Sequence, residues 1–230
     1  MKKLKISSER VYVIATMATS LATSMLASAD FGMSMIVAPS YVISMKIPFL
    51  TFGQTNYIIQ GILFLLLLLI IKKIKIMYFF SFLSGFIFGS ATDIWRELIP
   101  FLNPVVHPPG QYSMGIRILL FTTGFMLNAF GVTLYFKTYF YPQIYEFFVK
   151  KISVKYNIRL TVLKYFFDVS CLLIAIASSL LLFHRLTGVG IGTIVIACLN
   201  GGLIELYDRI ISKNTEIRPR WKEFAEKFED

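Results

Sequence analysis

Residues 58–71 form an apolar run in which Gln60 is the one polar side chain and 65–69 is unbroken leucine, ending at Lys72, Lys73 and Lys75. A helix of that composition has no face for water, so it lies either in lipid or wholly inside protein. The rest of the chain decides between the two. Of 230 residues, 56% are hydrophobic and 16% charged, and the mean hydropathy is +0.68, more apolar surface than a water-soluble domain of this size could hide. A bilayer core takes about 20 apolar residues per helix, so the chain has room for about six spans and no separate soluble domain.

The expected fold is an all-α membrane protein with spans at roughly 11–29, 53–71, 77–96, 116–136, 161–183 and 189–211. Basic residues gather before the first span (Lys2, Lys3, Lys5, Arg10), after the second (Lys72, Lys73, Lys75) and before the fifth (Lys150, Lys151, Lys155, Arg159). Lys and Arg mark cytoplasmic loops, which places both termini in the cytoplasm. The other side carries fewer charges and a proline-rich outer loop at 101–115, bordered by Pro100. The first span ends at Ala27-Ser28-Ala29, a pattern also found at signal-peptidase sites. Its dilution by Thr16, Thr19, Ser20, Thr23 and Ser24 favours a retained helix.

Two connectors, 35–48 and 142–156, are too short to span and read as helices lying in the interface or dipping into the membrane. In the second, Ile144, Phe147, Phe148 and Ile152 recur near helical spacing. The tail, 213–230, places Trp221, Phe224, Ala225 and Phe228 on one face, as an amphipathic helix on the cytoplasmic surface would.

The net charge of +10 resides in these loop clusters, and no nucleic-acid-binding module is legible, so nucleic acid is not an expected partner. Cys171 and Cys198 lie in apolar runs without a neighbouring Cys or His, so neither a disulfide nor a metal site is expected. His107 and His184 fall in outer loops, and the GVGIGT stretch at 188–193 lacks the preceding strand that a dinucleotide loop requires. No enzyme activity and no cofactor are expected.

Comparing the halves at an offset of 108 residues aligns their polar positions. Asn56 and Gln60 in the second span match Lys164 and Asp168 in the fifth. Gly85, Gly89, Asp93 and Glu97 in the third match Thr193, Ala197, Gly201 and Glu205 in the sixth. Residues four apart share a helix face, and small ones admit a second backbone, so Gly85, Gly89, Thr193, Ala197 and Gly201 are expected packing positions. The halves are 1–100 and 116–212. Three spans in each make the second enter from the opposite side, an inverted repeat of the kind transporters use.

Several stretches are similar to the YczE/YyaS/YitT-like family of bacterial membrane proteins, in particular its YczE-type branch. They are Ala29-Asp30-Phe31-Gly32-Met33-Ser34, Phe52-Gly53, Phe88-Gly89 with Asp93, Lys164-Tyr165-Phe166-Phe167-Asp168, and Gly188-Val189-Gly190-Ile191-Gly192-Thr193. The resemblance implies a bacterial plasma-membrane protein suspected of transport, without an assigned substrate.

Ionisable groups within a span cost at least about 2.5–3.5 kcal/mol each, so they usually face protein or a water-filled path. Lys164 can snorkel to the cytoplasmic surface, whereas Asp168 lies deeper and needs a partner. The pair reads either as a site for a polar solute or proton or as an ion pair that fixes packing. Asn56, Gln60 and Asp93 complete the expected substrate path, with Asn128, Lys137 and Asn200 as weaker candidates and Glu205 paired with Arg209. The leading expectation is a small-solute permease embedded in the lipid bilayer and working by alternating access. The alternatives are a membrane scaffold or regulator with a homo-oligomeric or other membrane partner, and the substrate-binding subunit of a vitamin importer.

Overall fold

The computed structural model describes residues 4–72, 75–141 and 143–228. Lys2 and Lys3 of the first basic cluster, Lys73 of the second and Pro142 at the start of the second connector lie outside the described residues. The chain is mostly helical, with α1 (Ser8–Ala29), α2 (Ala38–Lys46), α3 (Phe52–Ile71), α4 (Phe79–Leu98), α5 (Met114–Phe136), α6 (Ile144–Tyr156), α7 (Leu160–Phe183), α8 (Ile191–Asn214) and α9 (Lys222–Glu226). Five stretches are long and apolar enough to cross a membrane: Ser8–Ala29, Phe52–Ile71, Ile76–Leu98, Met114–Phe136 and Leu160–Phe183. Helix α8, expected as a sixth span, has 24 residues but is not among the five. Asn200, Glu205, Asp208 and Arg209 interrupt its apolar stretch.

The fold also departs from all-α. Strand β1 (Leu4–Ser7) pairs in parallel with β2 (Thr215–Arg218), in register from Leu4↔Thr215 to Ser7↔Arg218. The pairing ties the two described ends of the chain together. Among the described residues of the tail expected as a surface helix, Lys213 and Asn214 close α8, Thr215–Arg218 is strand β2, and the one further helix is Lys222–Glu226. Its Phe224 and Phe228 pack against Phe80, Tyr139 and Phe140, so the apolar face meets protein aromatics, while Trp221 stays 58% exposed.

Helix α1 is the most buried of the five candidate spans, and its hydroxyl residues explain why. Thr16, Thr19 and Thr23 donate back to the carbonyls of Tyr12, Ala15 and Thr19 at 3.0, 2.9 and 2.9 Å. A small side chain satisfied within its own helix costs little to bury and lets another backbone come close. Helix α5 does so through glycine: a Cβ on Gly131 would stand 2.6 Å from Thr19 Cγ2, and one on Gly124 3.1 Å from Met25 Cβ. Tyr135 and Trp95 then donate to Thr16 and Ser20 at 2.8 and 3.1 Å.

The element order runs long, short, long, long twice, with helices of 22, 9, 20 and 20 residues and then 23, 13, 24 and 24. The packing is crossed in the same manner. Helix α1 lies against α5, α1 against α4 as α5 against α8, and each short helix is wedged between α3 and α7. The first turns of the short helices meet in the interior, where Ser40 Oγ and Tyr145 OH are 3.3 Å apart. At the far end of α6, Lys155 donates to the carbonyl of Ile70 and Lys151 stands 4.8 Å over the Tyr78 ring.

One relation breaks the pattern. Helices α3 and α4 pack along each other, whereas α7 and α8 make no comparable contact.

Candidate functional site

The gap between α7 and α8 is a cavity of about 590 Å³, backed by α1 and α5 and reaching the start of both short helices at Val37 and Gln143. Helix α7 contributes Lys164 and Asp168, whose Nζ and Oδ1 atoms are 3.3 Å apart. They sit one turn apart on one face, as four-residue spacing requires. Helix α8 contributes Ala197, Asn200 and Gly201, and α5 contributes Asn128 and Tyr135. The Asn200 Oδ1 atom is shielded and has no hydrogen-bond partner.

Glu146, in the first turn of α6, completes the charged end of the cavity, within electrostatic reach of Lys164 and Asp168. Burial pushes the Glu146 carboxyl above its ordinary range, while Lys164 and the backbone N–H at the helix start pull it back down. In sequence this stretch reads as a connector, and Glu146 is not among the expected path residues. The available signal was a single acid at the start of an amphipathic stretch, on a different face from Ile144, Phe147 and Phe148.

The other expected path residues lie elsewhere. Asn56 and Gln60 are fully buried and are not among the residues that line the cavity. Both instead hold α6. Gln60 Oε1 accepts from the backbone N–H of Ile144 at 3.2 Å, and its Nε2 donates to Gln143 Oε1 at 3.2 Å. Asn56 Oδ1 accepts from Tyr145 OH at 3.1 Å and from Ser40 Oγ at 3.4 Å. The first N–H groups of a helix lack partners within the helix, so a buried start needs such an acceptor. An intramembrane amide that satisfies a backbone looks, in sequence, the same as one that lines a path.

Asp93 is also away from the cavity. Its carboxylate accepts from Thr51 Oγ1 and from the backbone N–H of Gly53 at 3.0 Å, fastening α4 to the first turn of α3. The packing positions divide between the halves. A Cβ on Gly89 would stand 3.0 Å from Gly53 Cα, and one on Gly85 would collide with the Gln60 side chain. Thr193 closes on Gly32 in the turn after α1, and its hydroxyl accepts from the Gly190 N–H at 3.3 Å. Ala197 and Gly201 face the cavity rather than another helix, and a Cβ on Gly201 would meet nothing within 4 Å.

Lys137 is paired with Asp208 at 2.7 Å, and Glu205 with Arg209 at 2.6 Å. Cys171 is buried and Cys198 exposed, both as free thiols. Among the described residues no group of three or more His, Cys, Asp or Glu could hold a metal ion.

The fold and the cavity together define a mostly helical protein with several helices long and apolar enough to span a membrane. The chain belongs to a family of unknown function, DUF6198, whose model matches residues 6–209. No curated protein and no solved structure matches it.

Proposed function

We propose that this chain is a small-solute transporter of the bacterial plasma membrane that works by alternating access. In this reading it has six spans, α8 included, in two inverted halves, and both termini face the cytoplasm. It moves its solute across the lipid bilayer without nucleic acid. The resemblance of its motifs to the YczE-type branch supports the same assignment. One observation carries the proposal: the α3–α4 pair is closed, through Gly53 against Gly89 and the Asp93 fastening, while its counterpart α7–α8 is open around a cavity. Two halves of one design held in opposite states are what an inverted-repeat transporter has at each end of its cycle. The positive-inside rule puts the Lys164 end of the cavity on the cytoplasmic side, so this state is inward-open.

A scaffold reading draws on α8, where neither Gly201 nor Gly202 has a neighbour, leaving room for a helix of another chain. Distances between spin labels separate the two. One label pair at Tyr165 and Leu206 reports on α7–α8, and another at Ile58 and Ile94 on α3–α4; all four positions are exposed. Alternating access predicts two distance populations in each pair in liposomes, with α7–α8 shortening as α3–α4 lengthens. A single unchanging distance in both pairs, with another chain co-purifying in fixed ratio, overturns the transporter and leaves the scaffold.

A further inference from the structure

The cavity selects a charge sign and a shape. Lys164 and Asp168 pair with each other and leave little net charge. Glu146 adds a carboxyl group that accepts from its own backbone N–H and lies within electrostatic reach of Lys164, with no ion pair of its own among the described residues. Counted with every group ionised, the charged end of the cavity is therefore one negative charge in excess. A carboxylate in a confined, largely apolar space is costly unless a cation or donors reach it. Asn200 Oδ1, shielded and without a donor, asks for the same chemistry. The remaining walls are chiefly apolar, with Leu26, Phe88, Val132, Val169 and Ile196 among them. A volume of about 590 Å³ lies within the range of pockets that enclose small organic ligands.

We infer that the cavity binds a free amphipathic organic amine, with its ammonium group at Glu146 and Asn200 and its hydrocarbon part against the apolar wall. Lys164 holds Asp168 neutralised, so that one carboxylate is left for the ligand. The inference rests on the transporter reading for its direction of travel but not for binding, which is an equilibrium property of the inward-open state.

Phenethylamine and phenylacetate are a matched pair, alike in ring and chain and opposite in charge. Their binding to the purified full-length chain in phosphatidylcholine nanodiscs is measured by calorimetry. Phenethylamine is expected to bind saturably and phenylacetate not to bind. Glu146→Gln, which keeps the size of the side chain, should weaken the amine by about tenfold or more, the scale of one charge-assisted contact. Asn200→Leu should weaken it severalfold, and both variants should unfold at the parent temperature. Preferential binding of phenylacetate, binding of neither compound, or unchanged affinity in folded Glu146→Gln overturns the inference. Competition by added phosphatidylethanolamine would assign the cavity to a lipid headgroup and overturn the free-amine form. Loss of binding together with two-population spin-label distances removes the ligand class and leaves alternating access standing.

Discussion

Gln60→Leu isolates what a buried amide does in a helix long and apolar enough to cross a membrane. Gln60 is fully buried, rests on Gly85, and makes two hydrogen bonds, accepting from Ile144 N–H and donating to Gln143 Oε1, each at 3.2 Å. Leucine fills nearly the same volume, so packing is largely preserved and the loss is polar. The Ile144 N–H, at a buried helix start, then has no acceptor. An orphaned buried donor costs about 1–3 kcal/mol, and neither lipid nor the protein interior offers a replacement. That loss in local stability should speed amide exchange in the first turn of α6 by about five- to 150-fold. The amides of α1 and α5, far from the substitution, should keep their rates. Gln60→Glu retains an acceptor for Ile144 and should keep most of the protection. Exchange in Gln60→Leu as slow as in the parent, or equal loss of protection in both variants, would refute the capping role.

Four further outcomes follow from the same geometry. Asp168→Asn should abolish solute flux through the reconstituted chain while leaving membrane insertion intact; normal flux would remove Asp168 from the mechanism. Asp93→Ala frees the Gly53 N–H and Thr51 hydroxyl, costing about 1–3 kcal/mol of α3–α4 closure, and should lengthen the Ile58–Ile94 spin-label distance. Gly131→Ala drives a Cβ to 2.6 Å from Thr19 Cγ2, whereas Gly115→Ala in the same helix meets nothing within 4 Å. The first should lower the thermal transition, with a cost of about 1–3 kcal/mol, and the second should leave it unchanged or raise it by up to about 1 kcal/mol. The double variant Lys164→Asn with Asp168→Gln gives the second half the residues of the first and should shorten the Tyr165–Leu206 distance; an unaltered distance would count against the ion pair as what holds the cavity open.

The sequence was informative where one physical constraint acts alone. Long apolar runs locate candidate spans because lipid exposure tolerates little else, and the one-turn spacing of Lys164 and Asp168 places them on one face without tertiary information. It was less informative where two causes leave the same trace. Thr16, Thr19 and Thr23 look like dilution of an apolar run, yet in space they are what allows α5 to approach. Asn56 and Gln60 look like path residues, yet they satisfy the start of α6. Glu146 is not legible as a site residue because its role depends on where a 13-residue helix is wedged, which no local pattern records. Phe224 and Phe228 read as a membrane-facing stripe, since an apolar face looks alike whether lipid or the Phe80–Tyr139–Phe140 surface covers it.

The two halves also differ in what closure would bury, and this difference gives the open cavity a physical cause under the transporter reading. In the first half, the side chain pressed against α4 is the amide Gln60, whose hydrogen bonds are met by Gln143 and Ile144. At the equivalent position, 108 residues on, stands Asp168, with Lys164 in place of Asn56. Helix α8 begins at Ile191 and α4 at Phe79, an offset of 112 residues and one turn beyond the 108 at which the sequence aligns. By helix start, therefore, Ala197 and Gly201, rather than Thr193 and Ala197, stand where Gly85 and Gly89 do. They are small enough to admit α7 as Gly85 and Gly89 admit α3. Sterics therefore do not keep the second half open. Under the transporter reading its charges do: swinging α7 onto α8 would take an ion pair and the Glu146 carboxylate out of reach of water, and desolvating an ion pair can cost more than the attraction returns. A neutral amide carries no such penalty. A cation bound in the cavity would offset the excess carboxylate and lower the cost of closing, so the ligand that the charge balance selects is also the one that would license the movement.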